Sequence, residues 1–150
     1  MKIVATNRKA KRDYEILETY EAGIELKGTE VKSIRNGRIN INDSFIREKR
    51  GELYLVGAHI SPYEQGNIFN HDPLRDRKLL LHKKEIHRII TKMKEKRLTV
   101  VPLKVYFNKR GKFKVEIAVA KGRKAYEKKQ KIKERDIERE MQAELKKWKY

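Results

Sequence analysis

From Tyr14 the chain alternates apolar and polar positions: Tyr14, Ile16, Tyr20, Ala22, Ile24 and Leu26 fall on even positions, with Glu15, Thr19, Glu21 and Glu25 between them. A period of two puts these apolar side chains on one face of a long, half-buried strand. Gly28-Thr29 interrupts it, and Thr29 is placed to cap a short helix with Glu30 near its start, Val31 and Ile34 as its apolar face and Asn36-Gly37 as its end. Two strands are expected next, at Ile39–Arg47 and Leu53–Ile60, with a turn at Lys49-Arg50-Gly51-Glu52. The period changes to 3.6 at about Lys83–Lys96, where Ile86, Ile89, Ile90 and Met93 recur at helical spacing. Glu85, three residues after His82, has the spacing of a capping box. Alternation then returns in Val101, Leu103, Val105 and Phe107 and in Phe113, Val115, Ile117 and Val119, which predicts a hairpin across Lys109–Lys112.

The ends of the chain lack such patterns. Met1–Arg12 is basic and short of apolar residues, and is expected to be an arm or a poorly ordered lead-in. Beyond Lys121-Gly122-Arg123 the composition turns almost wholly to Lys, Arg, Glu and Gln, with Ile137, Met141, Leu145 and Trp148 as a thin apolar stripe. A helix with so little to bury is marginal in water, so residues 123–150 are expected to be a basic tail that folds on a partner. A helix packed on the domain is the alternative. The body, residues 1–122, is therefore expected to be mostly β (α+β): a small closed antiparallel barrel of five or six strands, OB-like, with a split α+β sheet as the alternative.

Charge changes the picture more than composition does. The 150 residues carry a net charge of +18 with 40% charged side chains. That imbalance favours polyanionic partners, nucleic acid first. An anionic membrane is the weaker option, since no long apolar run or signal segment is present. Without cysteine there are no disulfides or thiolate metal sites, compatible with a cytoplasmic protein. The stretch Asn67–Lys84 concentrates the question. After the polar Asn70-His71-Asp72-Pro73, the cations Arg75, Arg77, Lys78 and Lys83 surround Leu79-Leu80-Leu81. They form either a phosphate-binding fan on an apolar anchor or a solvated charged loop.

Catalytic patterns are scarce. His82 and His87 are on different helix faces, Lys121-Gly122-Arg123-Lys124 lacks the second glycine of a phosphate cradle, and Ser33, Ser44 and Ser61 sit in no nucleophile motif. Glu21 and Glu25 share a strand face without a companion pocket. His71-Asp72 resembles half a metal dyad, but a structural or RNA-contacting histidine fits better. No catalytic residue, metal or cofactor is expected. Cations interleaved with Tyr54, Tyr63, Phe69 and Tyr126 suit phosphates and unpaired bases, with shape as the basis of recognition.

Several ordered runs resemble the SsrA-binding (small protein B) family of bacterial trans-translation. They are NRKAKRDYEI (Asn7–Ile16), EAGIELKGTEVKSIRNG (Glu21–Gly37), NDSF (Asn42–Phe45), HDPLRDRKLLLHKKEI (His71–Ile86), TVVPLKVYF (Thr99–Phe107), KVEIAVAKGRKAYEKK (Lys114–Lys129) and KERDIERE (Lys133–Glu140). The resemblance implies an OB-like closed barrel with three helices and a tail that is disordered when free. It implies a non-catalytic adaptor that binds the tRNA-like domain of transfer-messenger RNA, supports its alanylation and carries it to stalled ribosomes. Its partners would be that RNA, the small ribosomal subunit with its rRNA and, indirectly, alanyl-tRNA synthetase and elongation factor Tu. The adaptor would be a cytoplasmic monomer, not bound to membranes. Carried over by position, Asn7, Arg8, Lys9, Glu21, Leu80, His82 and Gly122 would bind the RNA. The cations Lys11, Arg12, Arg75, Arg77, Lys78, Lys83, Lys121, Arg123 and Lys124 join them as candidates.

Glu21, an acid among cations, would accept hydrogen bonds from base or sugar, and Leu80 could equally be core. The tail would enter the vacant mRNA channel and become helical there, with Tyr126 stacking on ribosomal RNA. Lys128, Lys129, Lys133, Arg135, Ile137, Met141 and Trp148 are the further tail candidates. Glu127 and Lys129 replace the family's Asp and Arg, which keeps the charges but removes a bidentate arginine contact. Two other classes stay open: a generic RNA chaperone coating single strands, and an RNA-processing enzyme using His71 and Asp72.

Overall fold

The computed structural model describes residues 1–63, 70–95 and 97–122. Its spine is the strand anticipated from Tyr14, β2 (Tyr14–Ile24), which follows β1 (Lys2–Thr6) and α1 (Arg8–Asp13). After α2 (Gly28–Arg35) come β3 (Ile39–Asn40), β4 (Phe45–Lys49), β5 (Glu52–Val56) and β6 (His59–Ile60). The chain is completed by β7 (Arg77–Leu80), α3 (Lys83–Met93), β8 (Leu98–Phe107) and β9 (Phe113–Gly122). Seven strands form one antiparallel sheet in the order β1-β8-β9-β2-β7-β5-β4, and β3 pairs with β6 separately. Among the described residues, three helices and a mostly antiparallel β body agree with expectation.

The sheet is open, which corrects the closed barrel. β8 pairs with β9 along one edge, and β1 occupies its other edge through Lys2↔Phe107 to Thr6↔Lys104. Asn7 extends that cover, its backbone N–H donating to Leu103 O at 2.7 Å and its side-chain amide to Pro102 O at 2.9 Å. Among the described residues the two edge strands, β1 and β4, do not pair with each other. The N-terminal segment is thus built into the sheet, a second correction. The same Asn7 accepts from Ala10 N–H at 3.2 Å and caps α1, while Lys11 and Arg12 occupy the last turn, where cations suit the helix dipole.

The predicted strand Ile39–Arg47 is two strands, because the Ser44 N–H and hydroxyl both donate to Ile41 O, at 3.2 and 2.6 Å, and turn the chain. Leu53–Ile60 is also broken, at Gly57, whose φ of +81° suits glycine and whose Cβ position would lie 3.1 Å from Asp43 O. α2 begins one residue before Thr29. Its N-cap is Lys27, whose N–H donates to Glu30 at 2.8 Å.

A bulge decides which face carries which side chains. The β2–β9 register runs Ile16↔Ala120 and then Glu18↔Val119, so the even positions of β2 change sides at Leu17. Beyond it, Tyr20 and Ala22 join the main core with Ile34, Leu53, Leu55, Leu79, Ile89, Val115 and Ile117. Before it, Tyr14 and Ile16 join Ala10, Val101, Leu103 and Ala120 in a small cluster under α1. One stripe serves two cores. α3 lays Ile86 and Ile89 on the main core and is tied to β2 by Lys92 and Glu18 at 2.8 Å.

Beneath α2 lies a buried polar network. Glu30 and Arg77 are both 0% exposed and joined by a short Nε–H to carboxylate hydrogen bond. Arg75 donates to the other Glu30 oxygen at 2.6 Å. The remaining Arg77 nitrogens donate to Ala58 O at 3.0 Å and Pro73 O at 3.1 Å. His71 is also buried, its Nε2–H donating to Ile60 O at 2.8 Å while Nδ1 accepts the Thr29 hydroxyl at 2.8 Å.

Burial alone would push the Glu30 carboxyl up, but hydrogen bonds from Arg75, Lys27 N–H and Arg77 together hold it below the ordinary range. Its stabilisation is therefore complete above the unfolded carboxyl pKa and fades as pH falls through the lowered folded value. Glu30→Gln should cost about 3–5 kcal/mol at pH 7 by urea unfolding, because Arg77 stays buried without its counter-charge. The loss relative to wild type should shrink in acid. An unchanged urea midpoint at pH 7 would refute the role given to this network.

Candidate nucleic-acid interface

The outer face of the sheet, opposite the main core, follows from register and pleat. One row crosses it as Ile3, Tyr106, Lys114, Gly23 and Leu80, because Ile3 pairs with Tyr106, Tyr106 with Lys114, and Gly23 with Leu80. The next row runs Thr6, Lys104, Glu116 and Glu21. Leu80 lies across Gly23, where an added Cβ would sit 3.3 Å from the Leu80 Cβ. The close approach turns Leu80 outward, 48% exposed, beside the buried Leu79. Its alternative role as core is thereby settled in favour of the surface.

Glu21, Gly23, Leu80, Leu81, His82, Glu85 and Lys114 line a groove of about 510 Å³. Two of its carboxylates differ in commitment. Glu85 accepts the His82 N–H at 3.4 Å as part of the α3 cap, whereas Glu21 is exposed and receives the Tyr106 hydroxyl in a short hydrogen bond. Tyr106 is 4% exposed, and burial first, then the hydrogen bond and charge of Glu21, push its hydroxyl pKa far up. Lys104 sits 3.8 Å from Glu116 and 5.8 Å from the Tyr106 ring centre.

The other predicted residues gather elsewhere. Arg8, Lys9, Lys11, Arg12, Lys121 and Gly122 lie around α1 and the Tyr14↔Gly122 pair at the far end of β2. Nine residues of strand separate Tyr14 from Gly23, roughly 30 Å. Lys9 there meets Asp43 at 2.8 Å and Arg12 meets Asp13 at 3.1 Å, beside a groove of about 380 Å³. Gly122 is exposed with open space around its Cβ position.

Several candidates have structural duties instead. Asn7 is 4% exposed and spent on capping and on β8. Arg77 faces inward to Glu30, so it cannot meet phosphate from where it sits. Arg75 is half-buried on the same carboxylate, and the half-buried Lys78 accepts Glu25 N–H at 2.9 Å through its carbonyl. His82 and Lys83 are exposed at the start of α3. His71 and Asp72 part company, the ring turned inward and the carboxylate accepting Leu74 N–H at 3.0 Å. No group of three or more potential metal ligands occurs among the described residues. Arg123, Lys124, Tyr126, Lys128, Lys129, Lys133, Arg135, Ile137, Met141 and Trp148 lie outside the described residues.

Tyr106, Lys114 and Gly23 escaped the sequence reading. Their signal was present: Tyr106 falls between Val105 and Phe107, out of phase with the core-facing positions of its strand.

A raised tyrosine pKa favours the neutral side chain in the folded state. The associated stability is present below the unfolded value of about 10 and is lost as pH rises toward the folded one. Stability measured between pH 9 and 11 should fall more steeply in the wild type than in Tyr106→Phe. Parallel curves would disprove the Tyr106–Glu21 bond.

A family model described as SmpB protein matches residues 4–147. The SsrA-binding protein of Thermosipho africanus is 60% identical over 146 residues, covering 97% of this chain and 98% of the relative. That of Caldicellulosiruptor bescii is 59% identical over 148 residues, covering 99% and 93%. A chain from the solved structure described as "tmRNA-SmpB: a journey to the center of the bacterial ribosome" superposes with a TM-score of 0.67 at 58% identity, covering 81% of this chain and 85% of that one.

Proposed function

The chain belongs to the SmpB protein family, and we propose that it does what its relatives are named for: it binds SsrA RNA, the transfer-messenger RNA. It is a non-catalytic RNA-binding protein of trans-translation, the rescue of stalled ribosomes. On this reading residues 1–122 hold the tRNA-like domain of that RNA and residues 123–150 are the tail that probes the empty mRNA channel of the small subunit. The protein works as a cytoplasmic monomer that supports alanylation of its RNA and travels with it and elongation factor Tu.

The observation that carries the reading is the outer face of the sheet. There the exposed Leu80 shares one groove with the exposed Glu21 and His82. An unpaired base needs those groups: an apolar side chain to pack on and hydrogen-bonding partners at its edge. The cations around α1, some 30 Å away by strand length, suit backbone phosphates. Two surfaces so placed match a folded RNA better than a single strand, which favours the adaptor over the generic chaperone.

The test compares a tRNA-like RNA, a perfect duplex and a single strand at two salt concentrations, with full-length protein and with a chain ending at Gly122. All should weaken with salt, log K falling by roughly 0.7–0.9 per log unit for each neutralised phosphate. The tRNA-like RNA should bind best, and the shortened chain should keep that preference. Leu80→Ala should leave unfolding within about 0.5 kcal/mol of wild type, as for other surface sites, while weakening the preferred RNA. Equal binding of all three RNAs would reduce the protein to a folded polycation and sink the adaptor reading.

A further inference from the structure

The chain carries a net charge of +18, yet Glu134–Leu145 holds the acids Glu134, Asp136, Glu138, Glu140 and Glu144 against only Arg135 and Arg139. At the helical spacing of about 100° per residue, Ile137, Met141, Leu145 and Trp148 make one stripe. Glu134, Glu138, Glu140 and Glu144 all fall within about 100° of its centre, while Arg135, Arg139 and Lys146 fall on the far side. The apolar face of this segment is thus rimmed with acids, which repel phosphate. Its cationic back suits RNA, but its front suits an apolar groove edged with cations.

The body has such a groove, of about 310 Å³, between α3 and the β4–β5 turn. Ile86 and Ile90 form its floor, Lys83 and His87 stand along the helix wall, and Gly51 and Glu52 make the opposite wall. Lys83, His87 and Lys94 lie within about 40° of one another around the axis of α3, and all three are exposed. None of their side chains has an ion-pair partner among the described residues. The groove is also within reach of the segment. Lys121 pairs with Leu98, whose N–H donates to Glu95 O just past α3, so the chain leaves β9 beside the C-terminal end of that helix. Fully extended, Arg123–Lys133 spans roughly 36 Å, against about 16 Å for the whole of α3.

We infer that Glu134–Trp148 docks as a helix in the groove between α3 and the β4–β5 turn of its own chain, laying Ile137 and Met141 on Ile86 and Ile90. Lys133 and Lys147 fall beside Glu140 and Glu144 on one border of the stripe. That border turns to Glu52, and the border of Glu134 and Glu138 turns to Lys83 and His87. A helix with so thin a stripe is marginal alone, but the tether makes the contact intramolecular, at an effective concentration in the millimolar range. Docking orders the segment in the free protein, unlike the tail that the family resemblance implies, and withholds its apolar face from other partners. It belongs to the protein without RNA and does not rest on the RNA-binding reading.

Trp148 is the chain's one tryptophan and lies on the stripe, so its emission reports docking. In full-length protein without RNA, Trp148 should emit further to the blue and be quenched by acrylamide more slowly than in the urea-unfolded chain. Met141→Glu, which changes none of the described residues, should restore fast quenching. Lys83→Glu with His87→Glu should shift the docked-to-open ratio roughly two- to fivefold per reversed contact, as for exposed ion pairs. Adding Glu134→Lys and Glu138→Lys to that pair should bring the protection back. Docking in this groove is refuted if Trp148 of the native protein is quenched as fast as in urea, or if its protection survives Met141→Glu or the two groove reversals. It is refuted too if protection grows with protein concentration, since a second copy would then be the occupant. None of these results bears on the preference for tRNA-like RNA, which stands or falls by its own titration.

Discussion

The buried contact of Glu30 with Arg75 and Arg77 holds the fold's least connected parts in place. Glu30 sits on α2, while both arginines belong to the segment that leads into β7. Arg77 further anchors the carbonyls of Ala58 and Pro73, so one guanidinium gathers α2, the chain before β6 and the loop before β7. β7 itself pairs with β2 through Gly23↔Leu80 and Ile24↔Leu79, a short ladder by comparison with the eight paired positions linking β2 to β9. A ladder that short gives β7 little independent hold. Buried ion pairs rarely add net stability over apolar replacements, but they specify one arrangement, since any other leaves a charge unpaired in the interior. Here the specified arrangement sets the depth and rotation of β7, and with them the outward turn of Leu80.

This dependence explains what could be read from the sequence and what could not. The alternation in Tyr14–Ile24 and in the β8–β9 hairpin was legible because side-chain periodicity is a local property. The helix at Lys83–Met93 was legible for the same reason. Arg77 was not, because a cation next to Arg75 and Lys78 looks alike whether it faces water or a carboxylate 47 residues earlier. Nothing in the local pattern of α2 marks Glu30 as buried either, and its place at the third helical position suggests an ordinary cap. The open sheet was missed because strand count says nothing about edges. A short apolar segment, Ile3-Val4-Ala5, was enough to occupy the edge of β8 once Asn7 had bonded Leu103 and Pro102.

The bulge at Leu17 had a subtler effect on the candidate site. Without a shift, the odd residues of β2 would all share one face, and Glu21 would sit on the side of Glu15. With it, Tyr14 and Ile16 pack under α1 on the outer face while Glu21, five residues beyond Ile16, comes to that same face. One inserted residue therefore lets a single strand carry an α1-covered apolar patch at one end and an open polar groove at the other. The two candidate surfaces owe their separation to the length of β2 and their common face to that insertion.

A protein this basic has no difficulty attracting RNA; its difficulty is attracting a particular one. Every surface lysine strengthens binding to right and wrong phosphates alike, so cations raise affinity and on-rate without raising the ratio between partners. Specificity is a difference of affinities, and it needs groups that disfavour the wrong ligand. On the reading proposed above, Glu21 is such a group, an exposed carboxylate on the outer face of the sheet, whereas Glu116 opposite it already has Lys104 at 3.8 Å. The Tyr106 hydroxyl adds direction, because a carboxylate free to rotate would accept from any donor in reach. A fixed one accepts in one plane only, so a ligand at this spot must bring its donors to that plane. On the RNA-binding reading proposed above, selectivity resides in a small acidic spot on a large basic surface.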